Sequence, residues 1–222
     1  MLRANAVSMN PNHQALREKM VRTQLRARGI LDPRVLEAMV EVPRHAFVQD
    51  PQVPHAYEDR PLVIDCQQTI SQPYMVAVMT ELLHLQPADR VLEVGTGSGY
   101  QAAVLASLVE QVYTLERFPE LSGPAISRLT GLGYANIEFA QGDGWHGWPE
   151  QAPFDAILVA CSTPRIPAPL VEQLRPGRRM VIPIGPEGGE QQLVCLTRDP
   201  DGSTREEILM SVRFVPLVRG MP

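Results

Sequence analysis

Residues 91–100 (VLEVGTGSGY) constrain the fold more than any other segment of the chain. A short apolar run typical of a buried strand leads into three glycines at alternate positions, and residues 101–106 then favour a helix. A glycine turn between a strand and a helix brings main-chain atoms close to a nucleotide-like ligand. The segment predicts an α/β fold with a ligand site at this turn, although glycines alone also fit a plain strand-to-helix turn.

The spacing of the glycines separates several ligand classes. The dinucleotide fingerprint is G-x-G-x-x-G, whereas this turn reads G-x-G-x-G and has Tyr100 where the third glycine would fall. This pattern favours the methyltransferase variant of the turn over NAD or FAD binding. The pattern G-x-x-x-x-G-K-[ST] is absent and the only lysine is Lys19, which excludes a P-loop.

Composition narrows the class of protein. The chain has 222 residues, an apolar fraction of 44% and a net charge of −5, as expected for one soluble domain with no global attraction to nucleic acid. The well-separated Cys66, Cys161 and Cys195 suggest a reducing compartment and neither disulfides nor a metal site. No run reaches the length of a membrane span, and no secretory signal is recognisable. We therefore expect a cytoplasmic monomer without metal, membrane or nucleic-acid partner.

The N-terminal third has helical periodicity. Apolar spacing predicts a helix over residues 12–28 that ends at Gly29, and Asp32 is the expected N-cap of a second helix that begins with Pro33. Residues 1–11 are expected to be frayed. Because these elements precede the glycine turn, we expect residues 1–66 to form a helical addition and loop. Residues 67–222 would then form the cofactor-binding core of the same single domain.

Strands and helices alternate through the rest of the chain. The predicted strands after the glycine turn span residues 111–116, 137–140, 154–160, 179–185, 193–197 and about 208–218, with helices near 122–132 and 167–174. Alternation predicts a mostly parallel sheet. The turn at residues 199–202 predicts a closing antiparallel hairpin at its edge.

Two acids follow predicted strands at distances that suit a nucleoside. Glu116 lies about twenty residues beyond the glycines, where a carboxylate can accept hydrogen bonds from both ribose hydroxyls. Asp143 lies between Gly142 and Gly144 and could accept a hydrogen bond from an adenine amino group. A simple Asp-Gly turn explains Asp143 equally well.

Ser71 precedes a predicted helix that runs to about His84, with Pro73 in its first turn. The ordinary interpretation of such a serine is an N-cap. That role is compatible with binding a substrate anion, because the free amides of a helix start favour negative charge.

The chain resembles the protein-L-isoaspartate O-methyltransferase family over nearly its whole length. The matching segments, in family order, are residues 42–44 (VPR), 68–75 (QTISQPYM), 91–100, 142–144 (GDG), 154–157 (FDAI), 174–177 (LRPG) and 212–218 (VRFVPLV). The resemblance implies a Rossmann-like S-adenosylmethionine-dependent methyltransferase fold with an N-terminal helical addition. One departure is that residues 65–67 read DCQ where the family is usually glycine-rich.

The resemblance also implies the site residues. Ser71 is the implied catalytic residue, orienting the acceptor carboxylate. The implied cofactor-binding residues are Gln68, Thr69, Ile70, Tyr74, Glu93, Gly95, Thr96, Gly97, Ser98, Gly99, Glu116, Arg117, Asp143 and Gly144. The implied reaction transfers a methyl group to L-isoaspartyl residues of peptides and damaged proteins and leaves S-adenosyl-L-homocysteine.

Two alternatives remain open at this point. A methyltransferase for another acceptor would share the glycine turn, but residues 161–164 read CSTP where an amino methyltransferase for nucleic-acid bases would carry an Asn/Asp-Pro-Pro-Tyr motif. The second alternative is a family member that binds cofactor without turnover. The intact glycine motif, Glu116 and Ser71 argue against it.

Overall fold

The computed structural model describes residues 11–220. The predicted fraying of the N-terminus concerns residues 1–11, of which 1–10 lie outside the described residues. The helices are α1 (Pro11–Met20), α2 (Pro33–Glu41), α3 (Pro73–Leu82), α4 (Tyr100–Ala106), α5 (Pro119–Gly131) and α6 (Ala168–Gln173). The strands are β1 (Leu62–Val63), β2 (Thr69–Ile70), β3 (Arg90–Val94), β4 (Gln111–Glu116), β5 (Ile137–Gln141), β6 (Phe154–Val159), β7 (Leu174–Ile184), β8 (Gln191–Arg198) and β9 (Thr204–Val212).

The N-terminal helices form as their sequence predicts. Helix α1 continues as a π turn and a 3₁₀ turn to Arg28, and Gly29 ends it in the left-handed conformation at φ +94°. The Asp32 side chain accepts a hydrogen bond from the Arg34 amide at 2.9 Å, so Asp32 is the N-cap of α2. Local capping chemistry therefore sets these boundaries.

The seven-stranded sheet has the order β5-β4-β3-β6-β7-β8-β9. The five strands from β5 to β7 are parallel, while β8 and β9 pair antiparallel at one edge, which confirms the predicted fold class. The chain runs outward from β3 to β5 and then returns to place β6 on the other side of β3. Such a reversal opens a crevice beyond the carboxyl ends of the two central strands.

Alternate residues of the central strands enter two apolar cores, one on each face of the sheet. Val91 and Val112 pack with the N-terminal helices and with α3 and α4, whereas Leu92 and Tyr113 pack with Leu170 of α6. Because the first core joins the N-terminal helices to the sheet, the division at residue 66 stays a prediction. Within residues 11–220 the structure contains no helix with the length and hydropathy needed to span a membrane.

The end of the last strand differs from its prediction. Strand β9 ends at Val212, because the side chain of Gln191 binds the main chain of Phe214 in place of a neighbouring strand. The Phe214 amide donates to Gln191 Oε1 at 2.6 Å, and Gln191 Nε2 donates to the Phe214 carbonyl at 3.0 Å. These two hydrogen bonds direct the following residues away from the hairpin and towards the crevice.

Candidate active site

The glycine turn after β3 has the shape that its sequence predicts. Gly95, Gly97 and Gly99 all lie at positive φ, between +54° and +95°, a region that residues with a Cβ rarely adopt. The amides of Gly95 and Thr96 both donate to the Leu115 carbonyl, at 2.8 and 3.1 Å. The turn is therefore tied to β4 and presents main-chain atoms to the crevice.

Glu116, at the end of β4, braces this turn. Its Oε2 accepts a hydrogen bond from the Gly97 amide at 2.8 Å, and its Oε1 accepts from the amides of Arg117 and Phe118 at 2.8 and 3.0 Å. Only 6% of the residue is exposed. A carboxylate has about four lone-pair positions and three are used here, so Glu116 can still accept one hydrogen bond from a ligand through Oε2.

The crevice holds a cavity of about 860 Å³, part of it open to solvent. The cavity contains eleven of the predicted site residues, namely Gln68, Thr69, Ile70, Ser71, Gly95, Thr96, Gly97, Ser98, Glu116, Arg117 and Gly144. The structure therefore places most of the predicted site residues around a single pocket.

Four predicted site residues do not line this cavity: Tyr74, Glu93, Gly99 and Asp143. Tyr74 lies under the Arg28 guanidinium, which is 3.5 Å from the centre of its ring. Gly99 packs against Leu129, where an added Cβ would come within 2.8 Å of the Leu129 Cδ1 atom. Glu93 and Asp143 have other partners, described below. The roles predicted for these four residues remain predictions.

Glu93 is fully buried behind the glycine turn. Its Oε2 accepts from the Thr114 hydroxyl at 2.5 Å, and the Thr114 hydroxyl contacts the Thr96 hydroxyl at 2.6 Å. Glu93 Oε1 has no hydrogen-bond partner among the described residues. Burial raises the pKa of Glu93 to about 8, a rise that the Thr114 hydrogen bond opposes and the negative charge of Glu116 supports. Glu93 is therefore linked to the glycine turn through Thr114 and Thr96 and does not line the cavity.

Ser71 is not an N-cap, contrary to the ordinary interpretation of its position. Helix α3 begins at Pro73 with Gln72 as the N-cap residue, and no side chain caps it. The hydrogen bonds of the described residues leave the Ser71 hydroxyl without a partner. Ser71 lies one residue before the N-cap position, and its hydroxyl is available to a ligand.

A second, open groove adjoins the cavity on the far side of Ser71. Thr69 and Ser71 line both spaces, so these two residues form the boundary between them. The other groove residues are Pro61, Gln72, Met75, Glu190, Ser211, Val212, Arg213 and Phe214. Pairing of β1 with β2, which the sequence did not predict, holds Thr69 opposite Val63 and places this boundary.

The turn before β2 is strained. Cys66 and Gln67 lie at φ +55° and +57°, the left-handed region that costs about 1–2 kcal/mol for a residue with a Cβ. These are two of the three residues at which the chain lacks the expected glycines. The left-handed path of this turn is therefore kept, at a cost in backbone strain.

Residues 215–218 form a cavity wall, although the sequence analysis assigned them no role in the site. The Ser162 amide donates to the Val215 carbonyl and the Leu217 amide to the Ser162 carbonyl, both at 2.8 Å. The family-like ending of the chain was a signal that this segment matters. Its position beside the cavity could not be predicted from the sequence, because Ser162 is 53 residues from Val215 in sequence.

Two predicted site residues fasten this segment. The guanidinium of Arg117 donates to the carbonyl oxygens of Val218, Arg219 and Gly220. Asp143 accepts the Gly220 amide at 2.7 Å through Oδ2 and the Trp145 amide at 2.9 Å through Oδ1. Both side chains therefore hold protein groups beside the cavity.

Neither metal chemistry nor a cysteine nucleophile is indicated in the described part of the chain. No group of three or more His, Cys, Asp or Glu side chains there could hold a metal ion. Cys161 lines the cavity, but burial, together with the charge of Glu116, raises the pKa of its thiol. A thiol that stays protonated is a poor nucleophile.

Gly144 tests how closely the cavity wall is packed. A Cβ at this position would lie 2.3 Å from Val94 Cγ1, whereas the nearest atom to a Cβ at Gly142 would be 4.0 Å away. We expect Gly144→Ala to lower the free energy of unfolding by about 1–3 kcal/mol, because the buried Val94 has little room to move. Urea unfolding measures this change, with Gly142→Ala as the matched control. Equal stabilities of the two variants would contradict the predicted clash.

Comparison with known proteins agrees with this architecture. The family model described as protein-L-isoaspartate(D-aspartate) O-methyltransferase matches residues 15–221. Protein-L-isoaspartate O-methyltransferase 2 of Pelobacter propionicus is 54% identical over 207 residues, which cover 93% of this chain and 92% of that protein. The protein-L-isoaspartate O-methyltransferase of Gloeobacter violaceus is 50% identical over 203 residues, which cover 91% and 98% respectively.

A solved structure is similar in three dimensions. It is a Plasmodium falciparum protein assigned to the same enzyme class and crystallised with S-adenosyl-L-homocysteine. It has a TM-score of 0.80 and 27% sequence identity, and the match covers 92% of this chain and 99% of that one. The family match, the curated relatives and the fold all agree, and the chain belongs to the protein-L-isoaspartate(D-aspartate) O-methyltransferase family.

Proposed function

We propose that this protein transfers a methyl group from S-adenosylmethionine to the free carboxylate of L-isoaspartyl residues in peptides and damaged proteins. The observation that carries the proposal is the boundary formed by Thr69 and Ser71 between the cavity and the groove. The cavity would hold the methyl donor and the groove the peptide. The family membership and the names of the relatives support the same activity.

The cavity residues fit the donor. Glu116 is the acidic residue of the lining, and its remaining lone pair on Oε2 can accept a hydrogen bond from one of the two neighbouring hydroxyls that a ribose presents. The glycine turn lets the ligand lie against main-chain atoms. Phe118, Leu121 and Leu217 supply apolar walls for a base. The P. falciparum relative was crystallised with S-adenosyl-L-homocysteine, the demethylated form of this donor.

The acceptor needs orientation more than activation. When bound, S-adenosylmethionine supplies a methyl group on a positively charged sulfur, which passes to a carboxylate oxygen and leaves a neutral thioether. A carboxyl group with the ordinary Asp pKa of about 3.9 is already ionised at neutral pH, so no general base is required. Ser71 would donate a hydrogen bond that orients this carboxylate, and the walls around it would exclude water. Positioning of this kind is a major source of rate enhancement.

The methyl ester explains a role in repair. The methoxy group of an ester leaves more readily than an oxygen of a free carboxylate, so the neighbouring amide nitrogen can attack the ester carbonyl, and the methoxy group departs with the amide proton as methanol. The resulting succinimide hydrolyses in part to normal aspartate. We accordingly propose aged proteins and peptides as substrates. We also propose that the enzyme is a monomer and that it is located in the cytoplasm.

Paired peptides that differ only at one residue test the activity. We expect methylation of the isoaspartyl peptide and none of its normal aspartyl twin, measured as transfer of labelled methyl groups. Methylation of neither peptide, combined with S-adenosylmethionine binding by calorimetry, would favour a non-catalytic binding protein. Methylation of a different acceptor class only would favour the other alternative.

Ser71→Ala should lower kcat for the isoaspartyl peptide by about 10- to 100-fold, since a hydrogen bond to a charged group contributes about 1.5–3 kcal/mol. The affinity for S-adenosylmethionine should change little, because the proposed partner of the hydroxyl is the acceptor. Steady-state kinetics and calorimetry measure the two quantities. Ser107→Ala, at the far end of α4, is the control. A large loss of donor affinity in Ser71→Ala would contradict the assignment.

A further inference from the structure

Arg213 carries a positive charge into the groove next to Ser71. It is exposed, and the described residues provide no hydrogen-bond or ion-pair partner for its guanidinium. Building on the proposed function, we propose that Arg213 is a specificity-determining residue. It makes the enzyme favour isoaspartyl peptides with an acidic side chain close to the isoaspartyl residue.

The main chain on both sides of Arg213 is fixed. Val212 pairs with Gln191 at the end of β9, and the buried side chain of Gln191 binds both the amide and the carbonyl of Phe214. Only 1% of Gln191 is exposed. The base of the arginine therefore has a fixed position relative to the groove, while its guanidinium remains available. A fixed position reduces the entropy lost when a ligand pairs with it.

Glu190 is the other charged residue of the groove. Its Oε1 already accepts a hydrogen bond from the Ser211 hydroxyl at 2.7 Å, and Glu190 forms no ion pair with Arg213. The groove thus presents at Arg213 a cation without an ion-pair partner among the described residues, and an acidic side chain of the peptide would pair with it. Pairing with the reacting carboxylate would lower its nucleophilicity, so we assign Arg213 to a neighbouring side chain of the peptide.

The test uses isoaspartyl peptides that carry either glutamate or glutamine at one of four positions, namely the two residues before and the two residues after the isoaspartyl residue, with one position varied at a time. The measured quantity is the ratio of kcat/KM for the glutamate peptide to that for the glutamine peptide. We expect a ratio of about 3 to 5 in the wild type at one position, as for a partly exposed ion pair, and a decline towards 1 with added salt. The ratio should be near 1 in R213Q and below 1 in R213E.

Arg205 provides the matched control. It lies towards the other end of β9, where it pairs with Asp199 at 2.8 Å, so R205Q should keep the wild-type ratio. A wild-type ratio of 1 at all four positions, or a ratio that R213E leaves unchanged, would overturn the assignment of Arg213. If the wild type methylates no isoaspartyl peptide, including the glutamine peptides, the proposed function fails, and this inference fails with it.

Discussion

Glu116→Ala should weaken S-adenosylmethionine binding by at least about 100-fold, which is about 2.8 kcal/mol of binding free energy. The carboxylate is expected to accept a hydrogen bond from the ribose, and such a bond to a charged group contributes about 1.5–3 kcal/mol. It also accepts the amides of Gly97, Arg117 and Phe118. The variant therefore loses a ligand contact and the brace that orders the turn around it.

Calorimetric titration measures this affinity directly. Glu120→Ala is a suitable control, because Glu120 is an exposed acid in the first turn of α5 and does not line the cavity. Glu116→Gln separates the two contributions of the carboxylate. The Gln side chain keeps one carbonyl acceptor for the backbone amides but cannot accept through both ends. The affinity of Glu116→Gln for S-adenosylmethionine should therefore fall between that of the wild type and that of Glu116→Ala. An unchanged affinity in Glu116→Ala would remove this residue from the donor site.

Glu93→Gln should make the protein more stable at alkaline pH and leave its stability nearly unchanged at pH 4. Burial raises the pKa of Glu93 in the folded protein to about 8, against an ordinary value of 4.5 for a glutamate side chain. Folding therefore favours the protonated acid, and this stability is lost as the pH rises from about 4.5 through about 8. The total is on the order of 3–5 kcal/mol. Glutamine cannot ionise, so the variant avoids this loss.

Urea unfolding at a series of pH values between 4 and 9 tests the prediction. The difference in free energy of unfolding between Glu93→Gln and wild type should grow with pH and level off above the folded-state pKa. Glu138→Gln, which changes an exposed acid on β5, should show no such trend. A pH-independent difference for Glu93→Gln would show that folding does not raise the pKa of Glu93.

Much of the fold could be predicted from the sequence because local rules determined it. The capping of α2 by Asp32, the end of the first helical segment at Gly29 and the glycine turn all depend on backbone conformations that few residues adopt. Strand alternation likewise specified a parallel sheet with an antiparallel edge. These features involve residues that are close together along the chain.

Predictions became less accurate where a distant side chain replaced a local partner. Strand β9 ends at Val212 because the side-chain amide of Gln191 binds the main chain of Phe214, and no periodicity in residues 204–218 carries that information. The ordinary N-cap interpretation of Ser71 was wrong for a related reason. The path of β2, fixed by pairing with β1, leaves the cap position to Gln72.

The sequence by itself determined the glycine turn, the acid after the second strand and the family of the chain, because each is written in short segments whose spacing has physical meaning. Only the tertiary structure decided that Glu93 lies beneath the turn, that residues 215–218 close the cavity and that Thr69 and Ser71 separate it from a second groove. Those relations join segments far apart in the chain. Burial and long-range pairing establish them, and neither can be read from neighbouring residues.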